Sequence, residues 1–104
     1  MKRGEVWLCT LDPTVGHEIR KARPCLIVSP DDLNQRLSTL IVAPLTSGSQ
    51  PARFRVNVTF RGKDGLILPD QLRTLDRRRF VKQLGTIHED ALADVQRILI
   101  AMFS

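Results

Sequence analysis

Residues 23–46 read RPCLIVSPDDLNQRLSTLIVAPLT, and they decide the fold. Within them CLIVS (25–29) and TLIVAPL (39–45) are short, mostly apolar runs, the pattern of strands buried on both faces. Pro24 biases Arg23 toward extended geometry, and SPDDLNQR (29–36) between the runs reads as a loop or a short turn of helix. Pro44 suggests an edge or a bulge near the end of the second strand. Consecutive strands joined by a short connection pair antiparallel, so the numbers of facing residues sum to a constant. Placing Ser29 opposite Leu40 makes that constant 69 and sets Arg23 opposite Thr46. A permanent cation and the hydroxyls of Thr46 and Ser47 then share one rim, with the loop carrying His17 and Glu18 above them.

Working outward, EVWLCTL (5–11) reads as a strand, and Asp12-Pro13 opens a loop that runs to Ala22. RFRVNVTF (53–60) alternates: Phe54, Val56, Val58 and Phe60 point one way, Arg53, Arg55, Asn57 and Thr59 the other. GKDG (62–65) reads as a turn. LIL (66–68) and DQLRTL (70–75) read as strands broken by Pro69, residues 76–80 as one helical turn, and VKQLGT (81–86) as a further strand. From Glu89 onward Leu92, Val95, Leu99 and Met102 recur at helical spacing with Ile98 beside them, which predicts one amphipathic helix. Its start is a Thr86/Glu89 capping box or a cap by His88. Six or seven short strands and one helix make a mainly β, α+β chain, a small barrel or strongly bent antiparallel sheet that closes off most of its edges.

The 104 residues suffice for a single domain, 1–104. No apolar run approaches the roughly 20 residues that span a bilayer, and MKRGEVW lacks the apolar stretch of a secretory signal. The expectation is a cytoplasmic protein with no membrane partner. Cys9 and Cys25 make no metal motif, and the same register rule brings them near each other as buried free thiols. The formal charge is +5, distributed unevenly: residues 1–82 carry 15 Lys/Arg against 8 Asp/Glu, residues 83–104 carry 1 against 3. A basic body suits a phosphate-rich partner.

The rim holds the parts that cleaving RNA without a metal requires. One group must take the proton from the 2′-hydroxyl, a cation must steady the phosphorane, and a donor must protonate the departing 5′-oxygen. Arg23 suits the second task, because its fork fits phosphate oxygens and stays charged. Glu18 or His17 can act as base, His17 because its unperturbed pKa lies near 6.5. Thr46 can donate or orient. The sequence has no HxxxH, no carboxylates at metal spacing and no Gly-rich phosphate loop. Arg77-Arg78-Arg79 reads first as a solvated face.

RGEVWLCTLDPTVGHEIRKARPCLIVSP, LIVAPLTSG and GLILPDQLRTLDRRRF, in this order and spacing, resemble three blocks of the MazF/PemK (Kid) toxins of bacterial toxin–antitoxin modules. The resemblance covers essentially the whole chain. It implies an SH3-like, CcdB/Kid-like bent β-barrel that forms a homodimer. It also implies an endoribonuclease that needs no metal or cofactor, cuts single-stranded mRNA at short sequences, leaves a 2′,3′-cyclic phosphate and a 5′-hydroxyl, and is neutralised by an antitoxin. By position, the resemblance makes Arg23 and Thr46 catalytic, with Gly16, His17 and Glu18 contributing to catalysis or RNA binding. Asp70 has an acid–base role in the Kid branch. Arg20, Lys21, Ser47, Asp70, Gln71 and Arg73 are the candidate RNA-binding residues. Two departures stand out. Kid-like members carry an arginine where this chain has Leu68, and the family's first loop usually carries a neutral, Gln- and Gly-rich stretch where this chain has Ile19-Arg20-Lys21-Ala22. The rival reading is a non-catalytic inhibitor of DNA gyrase like the CcdB toxins, which would not need the Arg23–Thr46 rim; a third is a plain RNA-binding module.

Overall fold

The computed structural model describes residues 1–11, 22–48 and 50–104. Among them seven strands and two helices follow in the order β1 (Glu5–Thr10), β2 (Ala22–Ile27), α1 (Asp31–Arg36), β3 (Thr39–Thr46), β4 (Val56–Phe60), β5 (Lys63–Ile67), β6 (Arg73–Asp76), β7 (Phe80–Thr86) and α2 (Glu89–Met102). Short 3-10 turns occupy Pro69–Gln71 and Arg77–Arg79. No helix of the described residues is long and apolar enough to cross a membrane.

The two apolar runs pair in the register read from the sequence: Cys25 faces Pro44, Leu26 faces Ala43 and Ile27 faces Val42, each pair summing to 69. Alternation then sends side chains into two cores. Leu26, Ala43 and Leu45 join Val6, Ile67 and Ile87 on one face. Cys25, Ile27, Leu40 and Val42 join Cys9, Leu75 and Phe80 on the other. Two buried faces explain why these strands read as continuous apolar runs. Each fully buried Leu or Ile contributes about 1.5–3 kcal/mol relative to exposure.

The strand order is β4-β5-β3-β2-β1-β7, all antiparallel, and β6 also pairs with β3. On the side away from β2, β3 therefore changes partner. Its first half (Thr39–Val42) faces β6 and its end (Leu45, Thr46) faces β5. Pro44 sits at that seam rather than at an edge. Its carbonyl accepts from Leu68 N–H at 2.9 Å on the same side, so the N–H that proline lacks falls where no ladder bond is required.

The split lets the sheet curl until its two end strands approach. The Phe60 ring of β4 lies so close to Gly85 of β7 that a Cβ there would come within 3.2 Å of it. Helix α2 covers the first core: Val95 is fully buried, and Leu92, Ile98 and Leu99 pack around it. His88 is the cap, its Nδ1 accepting from Asp90 N–H at 3.2 Å, so Thr86 is not. The result is a mostly β half-barrel with a C-terminal helix.

Several boundaries differ from the sequence reading, β2 among them, which runs Ala22–Ile27 rather than 25–29. β4 begins at Val56 rather than residue 53, because Arg55 N–H donates to Ala52 C=O (3.1 Å) and ties residues 52–55 into a turn. The hairpin turn is Arg61-Gly62, with φ of 53° and 79°, while Lys63, Asp64 and Gly65 belong to β5. The DQ segment is a 3-10 turn, since Leu72 N–H returns to Pro69 C=O (3.1 Å), and the strand starts only at Arg73. Cys9 faces Arg23, and Cys25 faces Trp7, so the thiols are diagonal neighbours rather than a facing pair. Both are free and buried. The hydrogen bond with Cys25, together with burial, pushes the Cys9 thiol far above its ordinary range, which keeps it unreactive.

Candidate active site

β2 begins with exposed Ala22 and Arg23 before its chain turns inward at Cys25, and β3 ends at half-buried Thr46. Arg23, Pro24, Thr46 and Ser47 line one cleft of about 580 Å³, whose opposite wall is the β4–β5 hairpin. The antiparallel register is what brings the start of β2 and the end of β3 to a common rim. Arg23 forms no ion pair with a described residue.

Thr46 is held on two sides. Its Oγ1 accepts from Gly48 N–H at 3.3 Å, which leaves the hydroxyl proton free to be given to a ligand. Gly65 of β5 passes over its backbone so closely that a Cβ at this position would lie 2.8 Å from the Thr46 carbonyl oxygen. No side chain fits there without displacing Thr46. Sequence reading assigned Gly65 to a turn; the signal for its role is a glycine inside a strand, which marks close backbone approach.

Asp70 and Gln71 lie on the 3-10 turn, exposed, and are not among the residues lining this cleft. Asp70 is forked by Arg55, whose Nε and Nη2 donate to its two carboxylate oxygens at 3.2 and 3.0 Å. Arg55 Nη1 also donates to Gln50 C=O at 3.0 Å, tying the β3–β4 connection to the same node. The hydrogen bonds from Arg55 hold the Asp70 carboxyl below its usual range. At neutral pH Asp70 is therefore an ionised acceptor, unable to give a proton. Arg55 looked like one more outward-facing polar residue in the alternation of β4. Leu68, where Kid-like members carry arginine, is buried in the core.

Four arginines of β6 and of the turn after it are engaged within the protein. Arg73 donates to Leu11 C=O at 3.0 Å, Arg79 to Thr10 C=O at 3.3 Å, and Arg77 to Leu37 C=O at 3.2 Å. Arg78 pairs with Asp76 at 3.1 Å. Gly16, His17, Glu18, Arg20 and Lys21 lie outside the described residues.

A curled half-barrel with a basic cleft at its mouth is the architecture of a known class of bacterial toxin. A MazE–MazF structure from Deinococcus radiodurans superposes with a TM-score of 0.85 at 30% identity, covering 99% of this chain and 95% of that one. Residues 2–103 match the family described as PemK-like, MazF-like toxin of type II toxin–antitoxin system, and the chain belongs to it. Endoribonuclease PemK of Escherichia coli is 41% identical over 101 residues, 91% of this chain and 76% of that protein. Endoribonuclease MazF of Staphylococcus epidermidis is 33% identical over 105 residues, 95% of this chain and 88% of that protein.

Proposed function

We propose that this family member is a sequence-specific endoribonuclease toxin that cuts single-stranded mRNA without a metal, using Arg23 and Thr46 at the mouth of the half-barrel. The family is one of type II toxins, two of the chain's relatives are named endoribonucleases, and the observation that carries the site is the shared cleft of Arg23 and Thr46. In the reaction the 2′-oxygen attacks phosphorus while its proton passes to Glu18 or His17. The Arg23 guanidinium holds the phosphorane's charge on its fork. The bond to the 5′-oxygen then breaks, that oxygen is protonated with Thr46 donating or orienting, and a 2′,3′-cyclic phosphate and a 5′-hydroxyl remain. Ser47 and the candidate residues Arg20, Lys21 and Gln71 would bind flanking RNA, Arg73 being engaged by Leu11 C=O instead, and ionised Asp70 would accept from base N–H groups rather than act as an acid.

The toxin works in the cytoplasm as a homodimer and is silenced by a cognate antitoxin. The dimer reading is supported by Ile100 and Phe103, which leave large apolar surfaces exposed at the end of α2. The test is to incubate the protein with a long single-stranded RNA in excess EDTA and map the new ends. Discrete cuts ending in 2′,3′-cyclic phosphate are expected. Intact RNA after incubation with folded protein would reject the reading and favour the gyrase-inhibitor alternative.

A further inference from the structure

The wall of the cleft opposite Arg23 and Thr46 has no role in the chemistry above. It is the β4–β5 hairpin, which brings Arg61, Lys63 and Asp64 to the cleft together with the apolar side chains of Val58 and Phe60. Two features of this wall point to a ligand. The first is charge. Arg61 and Lys63 are both exposed and neither forms an ion pair with a described residue. The carboxylate beside them is engaged instead by its cross-strand neighbour, Thr59 Oγ1, at 2.6 Å. Among the described residues the cleft holds three cations, Arg23 included, against one carboxylate. The second is the residue chosen for the turn. Both turn positions have positive φ, 53° at Arg61 and 79° at Gly62, a two-residue hairpin that Asn-Gly or Asp-Gly fits without strain. An arginine in the left-handed region is sterically disfavoured, and strain of this kind gathers at ligand sites. Phe60, fixed against Gly85, gives the wall a rigid apolar surface.

We propose that the tip of the β4–β5 hairpin is a second phosphate-binding site of the RNA groove. In it Arg61 and Lys63 hold backbone phosphates flanking the one cut at Arg23 and Thr46, and the Phe60 edge faces a base. The assignment rests on the ribonuclease reading and extends the site across the cleft to residues outside the family-derived set.

The test is fluorescence anisotropy of a single-stranded 2′-O-methyl RNA, which cannot be cleaved because its nucleophile is blocked, titrated at several salt concentrations. The variant is Arg61→Asn with Lys63→Gln. Two lost phosphate contacts make the slope of log affinity against log salt shallower by about 1.4 and weaken binding about 25-fold at 0.1 M salt. Arg61→Asn suits the turn better, so the same variant melts at or above the wild-type temperature, which separates lost binding from lost folding. Lys63→Arg alone, which keeps the charge, binds like wild type. An unchanged slope with affinity within twofold of wild type overturns the proposal, and lost binding of the antitoxin by that same variant would then assign the hairpin to the protein partner. Cleavage by Arg23→Ala, measured on ordinary RNA, is the separate check on the ribonuclease reading, so the two ideas fail independently.

Discussion

Strands β2 and β3 treat their polar groups in opposite ways at their two ends. At the Ser29 end, Ser29 and Asn34 are buried and satisfy each other: Asn34 Nδ2 donates to Ser29 C=O at 2.9 Å, and Ser29 Oγ accepts from Ile41 N–H at 3.0 Å. Nothing there is left for a ligand. At the Arg23 end the cation is exposed without an ion-pair partner among the described residues, and the Thr46 hydroxyl keeps its proton. One end spends its hydrogen bonds on the fold and the other holds them in reserve. The arginines divide likewise: Arg55, Arg73, Arg77 and Arg79 are bound to carbonyls or a carboxylate of the protein, while Arg23 and Arg61 stand in the cleft.

The contrast predicts that substitutions at one end remove activity and at the other remove stability. Thr46→Val, which deletes the free hydroxyl at nearly constant volume, is expected to lower single-turnover RNA cleavage about 10²-fold. Its melting temperature should stay near wild type, and a large drop in stability would place Thr46 with the structural end. Gly65→Ala reaches the same hydroxyl from behind. Its Cβ would press on the Thr46 backbone, costing about 1–3 kcal/mol as overpacking does, with cleavage per folded molecule falling roughly tenfold. Full activity in that variant would mean that the position of Thr46 is unimportant.

At the other end, Ser29→Ala leaves the half-buried Ile41 N–H and the buried Asn34 without their Ser29 Oγ partner and is expected to cost about 1–3 kcal/mol in urea unfolding, with cleavage per folded molecule unaltered. The smallest effect belongs to the Arg55–Asp70 node. Arg55→Gln removes the main cause of the lowered Asp70 pKa, so that pKa should rise toward the ordinary carboxylate value in an NMR titration. Because the native pKa is depressed, the pair stabilises the fold above the ordinary carboxylate pKa, and this contribution is lost as pH falls through the lowered value. In Arg55→Gln that acid-sensitive contribution should be missing. An unmoved Asp70 titration would break the link.

The apolar runs CLIVS and TLIVAPL made their strands legible, while their register came from setting Ser29 opposite Leu40 across the short connection, because a strand buried on both faces does not fix its own register. The rim followed from the register alone. The hairpin tip was not legible: GKDG is the better turn sequence, and only the cross-strand pairing of Phe60 with Lys63 puts the turn at Arg61-Gly62 instead. Arg55 was hidden for a similar reason. Its partner lies fifteen positions away on a 3-10 turn, a contact that no local spacing announces. Gly65 carried a signal that was absorbed into the wrong turn.

The most direct test of the division between the two ends is the single-turnover cleavage rate of Arg23→Ala on single-stranded RNA in excess EDTA, measured beside its thermal melt. The expected rate is lower by about 10²–10³-fold, the usual effect of removing one preorganised stabiliser of developing charge, in a protein that melts where wild type does. A variant that cuts RNA at the wild-type rate would contradict it, and the exposed cation at the mouth of the half-barrel would need another purpose.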